Sequence, residues 1–219
     1  FSASATTDPW VITDASSAGT PTYTRLDHGE TSGAFRPGVA QLAFDSQAEA
    51  QNVCLSFGNK LAFDINSLRG FECSLRLVGA AGSAKDSATT VAWGVTGDRD
   101  DAIDSIAVAS IFRLASGSAV NTVVIENDDT VNTNDDVATG FTLTDSVWAK
   151  FKIDFSDLND VKYYAGLATG QLARVGNSTA MKMSSYAAGL QPFFQLQKTS
   201  DANTDALQID YVRVWGVRL

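Results

Sequence analysis

The stretch that most constrains this chain is its last, from Leu190 to Leu219. Leu190, Pro192, Phe194 and Leu196 alternate there with Gln191, Phe193, Gln195 and Gln197, the period-2 pattern of a strand that turns one face to a core. The polar turn Thr199-Ser200-Asp201-Ala202-Asn203-Thr204-Asp205 follows. Beyond it, Ala206-Leu207-Gln208-Ile209-Asp210-Tyr211-Val212-Arg213-Val214-Trp215-Gly216-Val217 is β-branched, aromatic and apolar on parts of both faces. Such a strand belongs inside a sheet, with a neighbour on either edge. The two strands face each other across the turn, and the rest of the chain must wrap around them.

About a dozen short runs of this kind recur along the chain, separated by turn residues and without helical periodicity. They include 10–12, 23–26, 39–44, 52–57, 71–78, 89–95, 106–114, 120–126 and 148–154, with 71–78 and 89–95 read as a pair. Two acidic loops interrupt them, at 97–104 and 127–136. No mid-chain linker or internal repeat is present. The pattern predicts an all-β fold, an antiparallel jelly-roll β-sandwich over residues 10–219, preceded by a Ser/Ala/Thr-rich arm over residues 1–9. Strands near Phe151, Ile153, Leu75, Trp93, Phe194 and Leu196 turn these side chains to the core.

With 16 Lys and Arg against 25 Asp and Glu, the net charge of -9 gives no cationic field for nucleic acid or an anionic membrane surface. No apolar run approaches the roughly 20 residues of a spanning helix. Cys54 lies on the polar side of Asn52-Val53-Cys54-Leu55-Ser56-Phe57, whereas Cys73 lies on the apolar side of Phe71-Glu72-Cys73-Ser74-Leu75. Thiols on opposite faces of a sheet cannot bridge, so both are read as free.

From Trp148 onward the succession Lys150-Phe151-Lys152-Ile153-Asp154-Phe155, Val161-Lys162-Tyr163-Tyr164 and Ile209-Asp210-Tyr211-Val212-Arg213-Val214-Trp215 resembles the second half of concanavalin A-like lectin and glucanase sandwiches. The Ala/Thr/Ser/Asn-rich composition, with Gly189-Leu190-Gln191-Pro192-Phe193-Phe194, is similar to structural proteins of tailed bacteriophages. The first resemblance implies the concanavalin A-like fold, and with it either glycan binding or glucanase chemistry. The second implies a place in a virion.

The residues offer little to catalysis. Glucanases of this fold use a Glu-x-Asp-x-x-Glu-like strand. Glu30, Glu49, Glu72 and Glu126 are read as solvated acids, with no second carboxylate at that spacing on one strand face. His28 is the single histidine, in a Gly-rich loop, and no Gly-x-Ser-x-Gly elbow accompanies it. Zinc and phosphate motifs are absent. No cofactor and no metal site is therefore expected. Were Ca²⁺ held, as the lectin resemblance allows, its ligands would come from Asp98, Asp100, Asp101 and Asp104 or from Asp128, Asp129, Asp135 and Asp136.

For glycans, the surface candidates are Trp148 beside Lys150 and Lys152, Phe193 beside Gln195 and Gln197, and Gln208 with Asp210. For a protein partner, the anchors are Phe1, Trp10, Phe35 and Arg36, the residue types enriched at buried contacts. These readings order the expected functions. The first is a non-enzymatic capsid decoration or cement protein of a tailed bacteriophage, assembled in the host cytoplasm, carried on the virion surface and contacting itself or capsid protein. The alternative is a lectin-like carbohydrate-binding module, extracellular or adhering to host glycans. A glucanase-like hydrolase is third.

Overall fold

The computed structural model describes residues 9–26, 38–79, 83–117 and 121–217. Phe1, His28, Glu30, Phe35, Arg36 and most of the 1–9 arm lie outside the described residues. Fifteen strands are described. In chain order they are β1 (Val11–Asp14), β2 (Thr22–Leu26), β3 (Val39–Ala43), β4 (Gln51–Ser56), β5 (Phe63–Asp64), β6 (Leu68–Val78) and β7 (Thr89–Thr96). After a single 3-10 turn at Ile103–Ser105 come β8 (Val108–Leu114), β9 (Thr122–Asp129), β10 (Thr133–Thr142), β11 (Ala149–Asp154), β12 (Lys162–Leu167), β13 (Ala173–Val175), β14 (Gly189–Lys198) and β15 (Ala206–Gly216).

They form two antiparallel sheets packed face to face. The larger runs β1-β4-β14-β7-β8-β9-β10, with β5 also paired to β14. The smaller runs β13-β12-β11-β6-β15-β3-β2. The terminal strands β14 and β15 sit mid-sheet as their apolar character requires, but in different sheets: β14 between β4 and β7, β15 between β6 and β3. Residues 71–78 and 89–95, expected as a pair, are likewise divided between the sheets. Alternation shows which face of a strand is buried, but both inner faces of a sandwich are apolar, so it does not show which sheet the strand joins.

The polar turn after β14 exposes Thr199, Ser200, Ala202 and Thr204 but is anchored by the buried polar groups of Lys198, Asn203 and Asp205. Lys198 Nζ donates to the carbonyls of Asp45, Gln47 and Asn203 at 3.0, 2.9 and 3.1 Å. Asp205 Oδ2 accepts from Thr89 Oγ1 and from the Asp86 N–H, both at 2.7 Å. These bonds satisfy buried polar groups that the crossing between sheets would otherwise leave unpaired.

Between the sheets, Phe151 of β11 is fully buried and meets Trp93 at 4.8 Å, Phe112 at 4.9 Å and Phe141 at 5.7 Å between ring centroids. Tyr163 packs edge-on against Phe112 at 5.3 Å, and its hydroxyl donates to Asn127 Oδ1 at 2.8 Å. Leu75, Ile153, Phe194 and Leu196 join the same core, as their alternation predicts. Trp10 packs there too, edge-on to Phe57 at 4.9 Å, so it serves the fold at a place where a docking anchor was expected.

A second, smaller cluster lies on the outer face of the larger sheet. Ile103 and Ile106, from the loop between β7 and β8, cover Cys54, Ala92, Ala109, Ile111 and Phe193. The carbonyl of Asp101 holds that loop down by accepting from Gln195 Nε2 at 2.8 Å and from Asn52 Nδ2. The loop, not the sheet, explains why a face that reads as half polar is buried. Cys54 lies under it, while Cys73 lies in the main core, so the two free thiols are separated by a sheet layer.

Phe151→Ala is expected to lower unfolding free energy by about 3–5 kcal/mol through lost burial and the cavity left behind; a loss below about 1 kcal/mol in denaturant titration would contradict this packing. Burial pushes the Cys54 thiol up to about 12 and Cys73 well above its usual range. Neither should react with a thiol reagent in the native protein, and both should react once it is unfolded.

Candidate functional site

Beside the covering loop, the outer face of β8, β9 and β10 forms an open cleft of about 610 Å³. Strand alternation supplies its floor. Phe112 and Leu114 of β8 face the core, which turns Arg113 outward; Val123 and Ile125 of β9 do the same for Glu126 and Asp128. On β10 a bulge between Asn134 and Val137 carries Asp135 and Asp136, and Asp136 takes a positive φ of 50°. Bulges re-aim side chains, and this one brings Asp136 onto Arg113.

The cluster is built around that guanidinium. Arg113 Nη1 lies 3.0 Å from Glu126 Oε2, Nη2 lies 2.9 Å from Asp136 Oδ1, and Asp104 reaches Arg113 from the covering loop. The Arg113 and Glu126 side chains are 11% and 8% exposed, against 81% for Asp104 and 55% for Asp136. The pair sits at the floor and the aspartates at the rim. Burial pushes the Glu126 carboxyl up to about 7 even though Arg113 pulls the other way, with Asp104, Asp128 and Asp135 adding to the rise. Asp128 is raised as well, by burial and then by Asp135.

Arg113 Nε, Glu126 Oε2 and Asp128 Oδ1 are buried without a hydrogen-bond partner among the described residues; the Glu126 oxygen is close to Arg113 but not aligned with an N–H. Carboxylate oxygens of Glu126, Asp128 and Asp135 lie within 4.8 Å of one another. Oxygens at that separation can reach one cation together, supplying three of the roughly six to eight oxygens that a calcium ion takes.

Several expectations change. Glu126 is not a solvated acid: β9 runs on to Asp129, so Glu126 and Asp128 share one strand face, the Glu-x-Asp half of the glucanase pattern. The segment 127–136 is no loop but the end of β9, a tight turn and the start of β10. Asp104, Asp128, Asp135 and Asp136 converge from the two acidic segments, whereas Asp100, Asp101 and Asp129 serve local structure. Asp129 accepts from the Asn132 N–H at 2.7 Å and the Ser185 N–H at 2.9 Å, Asp100 caps Ala102 at 2.9 Å, and Asp101 pairs with Arg99 at 2.6 Å. Glu72 and Glu49 accept from Tyr211 Oη and Gln51 Nε2, each at 2.7 Å.

The glycan candidates separate in the same way. Phe193 and Gln195 are fully buried beneath the covering loop and offer no platform. Gln197 is partly exposed and borders two smaller clefts flanking that loop. Trp148 is 9% exposed on the other sheet, with the Arg76 guanidinium 4.9 Å from its ring centroid. The residue that sequence reasoning missed is Arg113. Its signal was a lone charge following Ala109 and Ile111 on one face of β8, a place where a charge needs partners.

The raised Glu126 value fixes a pH dependence. Folded protein keeps a proton at Glu126 that the unfolded chain, with an ordinary value of 4.5, has released. This group's contribution to stability is full below pH 4.5 and declines as pH rises to about 7. Glu126→Gln should remove that slope, so the stability difference between variant and parent, measured by denaturant unfolding, should grow in the variant's favour across this window.

No protein-family model matches the sequence, and no curated protein matches it. Solved structures do. The carbohydrate recognition domain of Emp47p superposes with a TM-score of 0.60 at 11% identity, covering 96% of this chain and 90% of that one. The potassium-bound Emp46p carbohydrate recognition domain gives 0.56 at 10% identity over 96% and 90%. A carbohydrate esterase from the Shiga toxin-encoding bacteriophage phi24B gives 0.50 at 13% identity over 95% and 90%. At these identities the likeness is one of fold, and the fold is the concanavalin A-like, lectin-like sandwich.

Proposed function

We propose that this protein binds carbohydrate through the cleft over β8, β9 and β10. The observation that carries the reading is the convergence of Arg113 with Glu126, Asp136 and Asp104 in an open cleft, on a sheet face that the 97–107 loop covers only in part. Rim carboxylates accept from sugar hydroxyls while a guanidinium donates to them, a pairing of charged hydrogen bonds suited to vicinal diols. With Phe193 buried, recognition here is polar rather than built on an aromatic platform.

A divalent cation fits the same floor. Glu126, Asp128 and Asp135 would hold it, and it would supply positive charge that orients sugar hydroxyls and relieves the repulsion among the three carboxylates. Binding is favoured over turnover because the Glu-x-Asp pair lacks its third member: the position after the next two residues is Val131, 74% exposed.

Carbohydrate binding draws more support than capsid decoration, since structures that share the fold include carbohydrate recognition domains and a phage carbohydrate esterase. A virion surface and an extracellular setting, the two expected locations, would both present the cleft to glycans.

Glycan-array screening followed by calorimetry tests the reading. Losing one charged hydrogen-bonding partner costs about 1.5–3 kcal/mol, roughly ten- to hundredfold in Kd. Arg113→Met and the rim variant Asp136→Asn should each weaken a glycan hit accordingly, and chelation should weaken it further. An array without hits, or hits unmoved by both variants, would overturn the proposal.

A further inference from the structure

The outer face of the smaller sheet has the opposite character. Core-facing Phe71, Cys73, Phe151, Ile153, Tyr163, Val212 and Val214 leave the alternate positions of β6, β11, β12 and β15 pointing outward. Across those strands the register aligns Tyr164, Lys152, Glu72 and Arg213 in one row. The next row aligns Lys162, Asp154, Gly70 and Trp215. Lys150 and Tyr211 flank these rows, and Arg76 lies beyond them on β6. Five cations thus share this face with the carboxylates Glu72 and Asp154, on a chain whose net charge is -9.

The face is built, not merely charged. Trp215 lies across Gly70, where an added Cβ would come within 2.1 Å of the indole Cζ2. A glycine inside a strand marks a close approach, and here it lets the ring lie down on the sheet. Lys152 Nζ stands 5.8 Å from the centroid of Trp215 and 5.3 Å from that of Tyr164, and the Arg213 guanidinium is 5.2 Å from Trp215. Glu72 accepts from Tyr211 Oη at 2.7 Å and Lys152 Nζ lies 3.6 Å from Asp154 Oδ2, so the two carboxylates are held within the face and the five cations outnumber them.

We propose that this face is a second binding surface, for an acidic polysaccharide of the polyuronate class. Flat aromatic rings stack on the C–H faces of pyranose rings, and flanking cations pair with ring carboxylates. Lys152 and Arg213 are separated by the intervening strand β6, so they stand about 10 Å apart across the sheet, a span on the scale of two linked sugar rings. Charge density selects the polymer. Duplex nucleic acid carries one charge per roughly 1.7 Å, which a strongly acidic chain repels, whereas a polyuronate carries one carboxylate per sugar. The surface lies on the opposite sheet from the cleft and does not depend on the reading given to it.

Affinity electrophoresis of the full chain through gels containing polygalacturonate, dextran or duplex DNA tests the proposal. Polygalacturonate should retard the protein, salt should relieve the retardation, and dextran and DNA should leave it unchanged. Lys152→Glu/Arg213→Glu should weaken the apparent affinity about tenfold or more, the size of one to two charged contacts. Tyr164→Ala should weaken it at fixed charge, and Thr204→Ala on the exposed turn after β14 should not. Unchanged melting by circular dichroism would show that the variants fold. No retardation by polygalacturonate, equal retardation by DNA, or indifference to the face variants would overturn the proposal. So would light scattering that shows a dimer dissolved by the double reversal, since the occupant would then be a second copy.

Discussion

The burial of two sheet faces against each other, with Phe151 at the meeting of Trp93, Phe112 and Phe141, is the constraint on which everything else rests. Apolar area removed from water is the large favourable term in folding, and aromatic contacts add to it. Because that term fixes which face of every strand points inward, it also fixes what is left outside. Arg113, Glu126 and Asp128 are together because Phe112, Val123 and Ile125 are buried. Lys152 and Arg213 share a row for the same reason on the other sheet.

The two outer faces then differ because one is covered in part. The loop before β8 seals the middle of the larger sheet through Ile103 and Ile106 and leaves a cleft at its edge. Inside that cleft, the side chains of Arg113 and Glu126 are only 11% and 8% exposed, so each needs the other: a buried charge without a partner costs far more than an exposed one. Burial still outweighs the attraction at Glu126, whose carboxyl rises to about 7. A site in which desolvation, an opposing cation and neighbouring carboxylates compete responds sharply to ligand, proton or metal. The smaller sheet has no such loop among the described residues, and its outer face is a broad surface of cations laid on aromatic rings. The two faces therefore suit ligands of different charge.

The sequence by itself determined the strand character, the all-β class, the two unbridged thiols and the inward faces of β11 and β14, because period-2 alternation follows from backbone geometry within a single strand. It also placed the aspartates that gather in the cleft, although it read their segment as a loop. Only the tertiary structure decided which sheet each strand joins, so β14 and β15 became partners across the core rather than neighbours in a ladder. It alone buried Phe193 and Gln195, through a loop whose Asp101 lies 94 residues from Gln195 in the chain, and it alone turned Glu126 and Arg113 into one site. The physical reason is common to these cases. Which face a strand buries is a local property, whereas what lies over that face depends on contacts between segments distant in the chain, and no local periodicity encodes them.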